Sequence, residues 1–192
     1  MGLYLRYGDM EGAGMRVLTL PPLPFGATHY VNDKEATLCL LWPYVKESLM
    51  ELPGFPMAIS STEVSKSRPY TIRSSTAGGG HGVFAKRSLI SGDLIIAERP
   101  LLLMPMAMLY DKTDAATHPN IITDNVVNKI MGVNNRAFFY SLHNCKRVSG
   151  DMTRIRGIID TNSLGATEEF PGPHQGIGYS CIARDISRVN HR

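Results

Sequence analysis

Residues Gly78-Gly79-Gly80-His81-Gly82 place four glycines in five positions and open directly into Val83-Phe84-Ala85-Lys86-Arg87. Without Cβ atoms the backbone there is open to close approach by a ligand or another chain segment. A turn signal, Ser91-Gly92-Asp93, comes next, followed by Leu94-Ile95-Ile96-Ala97-Glu98. Val83 to Arg87 and Leu94 to Glu98 therefore read as two short strands joined by a turn. Gly92 supplies the torsional freedom that the turn requires.

Three ligand readings compete for the glycine cluster. A phosphate loop needs Gly-Lys-Ser/Thr at the start of a helix, whereas Gly82 opens a strand and no Lys-Ser follows. A dinucleotide fingerprint needs a strand before the glycines and a helix after them, which is the reverse of the order here. What remains is a loop whose bare backbone cradles a small, non-phosphate ligand beside a strand. From composition alone, the cluster reads first as a flexible hinge between a linker and a domain.

The 192 residues hold one domain plus extensions, or at most two small domains. A hydrophobic share of 43% with 19% charged residues supports a packed core. The net charge is +3 without a long Lys/Arg run, so direct nucleic-acid binding is not implied. Cys39, Cys145 and Cys181 lie far apart and form no Cys-x-x-Cys pair, which fits free thiols better than a zinc site or a disulfide framework. His29, His118, His143 and His174 are scattered, and no metal site is expected. Arg6, Asp9 and Glu11 interrupt the N-terminus, which therefore does not read as a secretory signal. Arg6 also stands where a myristoylation signal wants Ser or Thr. The longest apolar run, Leu101 to Tyr110, contains Pro105 and falls well short of the roughly 20 residues a membrane span needs. The expectation is a soluble intracellular protein, nuclear or cytoplasmic, with no membrane partner.

Residues 1–30, with Pro21-Pro22-Leu23-Pro24, read as an extended or poorly ordered lead-in. Residues 36–42 fit a short buried strand. Pro43 suits the first position of a helix, along which Val45, Leu49 and Leu52 share one face until Pro53-Gly54 ends it. Residues 60–77 look like a linker, with the main domain beginning near Tyr70. Thr123 or Asp124 is expected to cap a helix carrying Val126, Val127, Ile130 and Met131. After a break at Gly132 to Asn135, a second helix carries Ala137, Phe138, Phe139 and Leu142. Arg154 to Asp160 and Ile177 to Ile182 read as strand-like. Short strands around a helical insert argue for an irregular, β-rich α+β fold rather than a regular parallel α/β sheet.

Three pieces in order resemble the SET domain family. They are Gly80-x-Gly82-x-Phe84-Ala85 with Ile90, Gly92-Asp93, Ile95-Ile96, Glu98 and Pro100; Arg156-Gly157-Ile158-Ile159 through Thr161-Asn162-Ser163; and Ile186-Ser187-Arg188-Val189-Asn190-His191. The last is similar to the start of the family's Arg-x-x-Asn-His-Ser-Cys-x-Pro-Asn signature. The likeness is to SET-and-MYND-type proteins, fungal ones in particular, where a Leu-Pro-Gly-Phe-Pro stretch such as Leu52 to Pro56 often precedes the domain. It covers residues 70–192 well and 38–56 loosely. It divides the chain into an N-terminal extension and linker (1–69), with one amphipathic helix, and a SET domain (70–192) incomplete at its C-terminus.

The resemblance implies transfer of a methyl group from S-adenosyl-L-methionine to a lysine amine of a histone or another protein. Gly80, His81, Gly82 and Phe84 are then expected to line the cofactor site, with Asn190 and His191 completing it. The MYND finger and the zinc-binding post-SET cysteines of the family are absent. Arg192 stands where the family has Ser, and the family's catalytic tyrosine lies beyond this signature, so no catalytic residue is assigned. Neither Tyr140 nor Tyr179 matches that position. Residues 1–192 are accordingly expected to bind the cofactor weakly or not at all, and to be inactive as a fragment. The alternative is a non-enzymatic SET-like scaffold or interaction module. Read singly, His81 suits an exposed loop histidine, Asn162 a turn, Phe138 and Phe139 a core, and Glu168-Glu169 a solvated loop.

Overall fold

The computed structural model describes residues 4–5, 15–20, 36–51, 68–76, 80–108, 118–150, 152–166 and 178–189. Six strands form one sheet: β1 (Tyr4–Leu5), β2 (Met15–Leu20), β3 (Thr37–Leu41), β6 (Leu102–Pro105), β7 (Leu164–Ala166) and β8 (Tyr179–Ile182). Their spatial order is β1-β2-β3-β6-β8-β7. Among the described residues only the β3–β6 pair is parallel, with Leu38 opposite Leu102 and Cys39 opposite Leu103. A separate antiparallel hairpin joins β4 (Tyr70–Ser74) to β5 (His81–Ala85). The helices are α1 (Pro43–Glu51), α2 (Pro119–Asn125), α3 (Val133–Tyr140) and α4 (Arg154–Asn162). The architecture is thus mixed α and β, in keeping with the α+β class. Among the described residues no helix is long and apolar enough to cross a membrane.

β3 sits at the centre because all five of its residues are apolar or small enough to be buried on both faces. Strand alternation sends Leu38 and Leu40 to one side, where they meet Met15, Val17, Leu102, Met104 and Ile182 under the helices carrying Val126, Phe139 and Ile158. Cys39 and Leu41 face the other way, onto Leu20, Leu103, Tyr179 and α1. There Val45 and Leu49 are buried, contributing about 1.5–3 kcal/mol each by removal from water. Trp42 and Tyr179 close that layer edge to face, with ring centroids 6.0 Å apart. The sheet draws strands from both sides of residue 69, three of its six from the N-terminal third.

Five local expectations need correction. The lead-in at 1–30 contains two sheet strands, β1 and β2: β2 pairs with the whole of β3, from Arg16 opposite Leu41 to Leu20 opposite Thr37. Within the 60–77 stretch, β4 is the partner of β5, so Ser- and Thr-rich composition concealed a hairpin arm. Leu94 to Glu98 is not a strand. The turn before it does close, with Asp93 N–H donating to Ile90 O at 3.1 Å and Gly92 at φ 94°. The chain then leaves the hairpin, because Glu98 is bound by residues 184–186.

Arg154 to Asp160 is helical. Thr153 caps α4 by accepting Arg156 N–H at 3.1 Å, and Ile155, Ile158, Ile159 and Asn162 fall on one buried stripe at helical spacing. Its β-branched content suggests a strand, yet tertiary burial of that stripe decides the outcome. The first insert helix also starts earlier than Thr123. Pro119 occupies its first turn and His118 Nδ1 accepts Asn120 N–H at 3.2 Å. A π-helical turn, Val126–Ile130, separates α2 from α3.

Candidate functional site

The hairpin arms diverge from Ser75 and Gly80, where Ser75 N–H donates to Gly80 O at 2.9 Å. Gly80 has φ 76°, in the left-handed region that favours glycine, and a Cβ built there meets nothing within 4 Å. Its backbone therefore borders open space. His81 is exposed, while Gly82 is buried. A Cβ on Gly82 would stand 3.3 Å from Phe84 Cε2 and 3.5 Å from Ser75 Cβ. Phe84 is half-buried and carries the Arg73 guanidinium 4.0 Å over its ring, an arrangement that holds the aromatic face by cation–π attraction. Gly78 and Gly79 lie outside the described residues.

β5 packs against the 3₁₀ turn Ile186–Arg188. That turn is held from four directions. Glu98 accepts the N–H groups of Arg184 (3.2 Å), Asp185 (2.8 and 3.0 Å) and Ile186 (2.7 Å). Asp185 Oδ2 accepts the Tyr70 hydroxyl at 2.5 Å and Arg68 at 3.1 Å. Arg184 donates to Asn135 Oδ1, and Asn135 in turn donates to Ala36 O at 2.9 Å. Ser187 Oγ accepts Ala183 N–H at 3.2 Å and lies 3.4 Å from Asn162 O. The guanidiniums of Arg184 and Arg188 both cover Phe138, at 4.6 and 5.1 Å from the ring centroid.

The electrostatics follow from this enclosure. Burial pushes the Glu98 carboxyl up from the usual carboxylate range, against the lowering effect of the N–H bonds from Ile186 and Asp185; the Asp185 charge adds to the rise. Burial also raises the Tyr70 phenol, and its hydrogen bond to Asp185 raises it further. The bracket is a polar clamp on one short segment, with three oriented N–H groups meeting one carboxylate.

The three pieces singled out in the sequence thus meet in space: β5 packs against the Ile186–Arg188 turn, and Ser187 Oγ lies 3.4 Å from Asn162 O. Asn190 and His191 lie outside the described residues, one and two positions beyond Val189. Asn162 belongs to the scaffold, donating from Nδ2 to His143 O and Ile158 O, both at 2.7 Å. Tyr179 is buried in the sheet beside Trp42. Tyr140 donates to Asn128 Oδ1 at 2.7 Å. Phe139 is core, whereas Phe138 is only half-buried. Glu168 and Glu169 lie outside the described residues. Sequence reasoning missed Asp185, Tyr70 and Arg68 as parts of the clamp; the one available signal was an acidic residue just ahead of the Ile-Ser-Arg turn. Among the described residues no three His, Cys, Asp or Glu side chains gather as a metal site requires.

No protein-family model matches this chain, and no curated protein or solved structure is similar to it at a significant level.

Proposed function

We infer that this chain carries the methyl-donor side of a SET-type protein-lysine methyltransferase, with S-adenosylmethionine lying against the β5 backbone. One observation carries the reading: β5, which holds Gly82 and follows Gly80, packs beside the Ile186–Arg188 turn, and Asn190-His191 come after Val189 in the sequence. The residues present suit the cofactor. Gly80 offers open, left-handed backbone, Gly82 removes a side chain at the foot of the strand, and Phe84 is held in place by Arg73.

Gly80, His81, Gly82 and Phe84 would hold the cofactor on one side, and Asn190 and His191 on the other. When bound, it supplies an electrophilic methyl group on a cationic sulfonium. Backbone carbonyls and amides suit that charge better than a basic cradle, and alignment of the two reacting groups supplies most of the acceleration in such a transfer. The clamp around Asp185 is a positioning device that fixes the turn against β5. The acceptor in this reading is a lysine of a histone or another protein, and the compartment is the nucleus or cytoplasm.

The test is calorimetric titration of residues 1–192 with S-adenosylmethionine. Saturable binding, displaced by S-adenosylhomocysteine and weakened at least about tenfold by Gly82→Val, is the expected result. A chain that unfolds cooperatively yet shows no saturable binding would sink the reading in favour of a non-enzymatic scaffold.

A further inference from the structure

The segment joining α3 to α4 takes no part in the proposed cofactor site, and its chemistry is distinct. It is anchored at both ends. Cys145 N–H donates to Thr161 Oγ1 at 3.2 Å, and Asn144 Oδ1 accepts Lys146 N–H at 2.9 Å. At the far end Thr153 caps α4 and donates to Asp124 Oδ1 at 3.1 Å. Between these anchors Lys146, Arg147, Val148, Ser149 and Gly150 are all exposed. Ser149 and Met152 exchange backbone hydrogen bonds of 2.9 and 3.3 Å, and Gly150 has φ 52°. Ser149 is therefore exposed and tied by its backbone to Met152. Among the described residues Lys146 and Arg147 form no ion pair.

We propose that Ser149 is a phosphorylation site for a protein kinase that selects basic residues N-terminal to its target hydroxyl. Kinases discriminate among substrates by charge pattern. Lys146 and Arg147, three and two residues before Ser149, present two solvated cations to acidic subsites. In the step itself Ser149 Oγ attacks the γ-phosphorus of ATP. The new O–P bond forms as the bond from that phosphorus to the bridging oxygen of ADP breaks, and the hydroxyl proton passes to the kinase's catalytic carboxylate.

Ser88, which follows Lys86-Arg87, is the natural rival and is the poorer target. Arg87 is occupied, donating to Asp93 Oδ2 at 2.8 Å and to Ser88 O at 2.9 Å. The product at Ser149 is compatible with the fold. The added charge of about −1.5 to −2 falls on an exposed residue, two positions after Arg147 and two before Asp151.

The experiment labels residues 1–192 with ATP and the catalytic subunit of cyclic-AMP-dependent protein kinase, and maps the product by tandem mass spectrometry. The expected result is one phosphoryl group on Ser149, abolished by Ser149→Ala. Arg147→Ala should lower kcat/KM for labelling by about tenfold or more, with the thermal unfolding midpoint unchanged. Labelling confined to Ser88 or any other hydroxyl overturns the proposal. So does labelling of a free peptide spanning residues 143–153 while the folded chain stays unmodified, because the turn is then closed to a kinase. An unchanged rate for Arg147→Ala overturns the charge-recognition basis.

Discussion

Glu98 accepts the backbone N–H of Asp185 with both carboxylate oxygens, at 2.8 and 3.0 Å, across 87 residues of sequence. The same carboxylate takes the N–H groups on either side, so one side chain organises three consecutive peptide units. Glu98→Ala leaves these donors without that acceptor in a partly buried site. A loss of about 3 kcal/mol in unfolding free energy is expected, since charge-assisted bonds and unsatisfied donors each count for 1–3 kcal/mol. Glu98→Gln keeps one acceptor oxygen and should lose less. Urea denaturation of the three proteins checks both; an Ala variant as stable as the parent would show that the clamp is ornamental to folding.

The same residue sets a pH dependence. Burial raises the Glu98 carboxyl above its unfolded value of 4.5. The folded chain therefore holds that proton more tightly than the unfolded chain does, and stability falls as pH rises through the window from 4.5 up to the folded value. Tyr70 and Cys181 feel the same carboxylate, so the parent alone reports a mixture. Comparison with Glu98→Gln isolates the contribution: the stability advantage of the parent over Gln should shrink as pH is raised from 4.5. An advantage that grows instead would mean that the three N–H bonds outweigh burial.

A close approach between α4 and the preceding loop yields a third prediction. A Cβ on Gly157 would stand 2.5 Å from Asn144 Oδ1 and 2.9 Å from its Cγ. Gly157→Ala should therefore push the flexible end of the Asn144 side chain aside at the expense of its bond to Lys146 N–H, so that a loss of about 1 kcal/mol cancels most of the roughly 1 kcal/mol that Ala brings to a helix interior. Asn144→Ala removes the obstacle. In that background the Gly157→Ala change should become stabilising, and a double-mutant cycle by thermal unfolding measures the difference.

The elements legible from sequence are those decided locally. β3 is a continuous apolar run that Pro43 converts into the start of α1, and Val45 and Leu49 repeat at helical spacing on its buried face. α4 defeated such reading because Ile155, Ile158 and Ile159 are β-branched, although their spacing is helical. β2 was obscured by glycines and prolines on both sides and is defined by pairing with β3 rather than by its own pattern. At the site, the glycine strand and the Ile186–Arg188 turn stood out as motif pieces. The clamp did not, because Tyr70, Glu98 and Asp185 are brought together only by tertiary folding.

Ile90 and Leu94 are each 74% exposed on the turn after β5, and the turn does not depend on them for its shape. Its geometry comes from polar groups: Asp93 Oδ2 accepts Ile90 N–H at 3.2 Å and the Arg87 guanidinium at 2.8 Å. The double variant Ile90→Ser, Leu94→Ser should therefore change unfolding free energy by no more than about 0.5 kcal/mol, as for surface positions generally. Removing two large exposed aliphatic side chains should also reduce self-association, because apolar surface of this kind is a liability in dilute solution. Light scattering against concentration, paired with urea denaturation, separates the two effects. A destabilisation of about 2 kcal/mol or more would place these side chains in a packed contact, the range expected for burying a large aliphatic group.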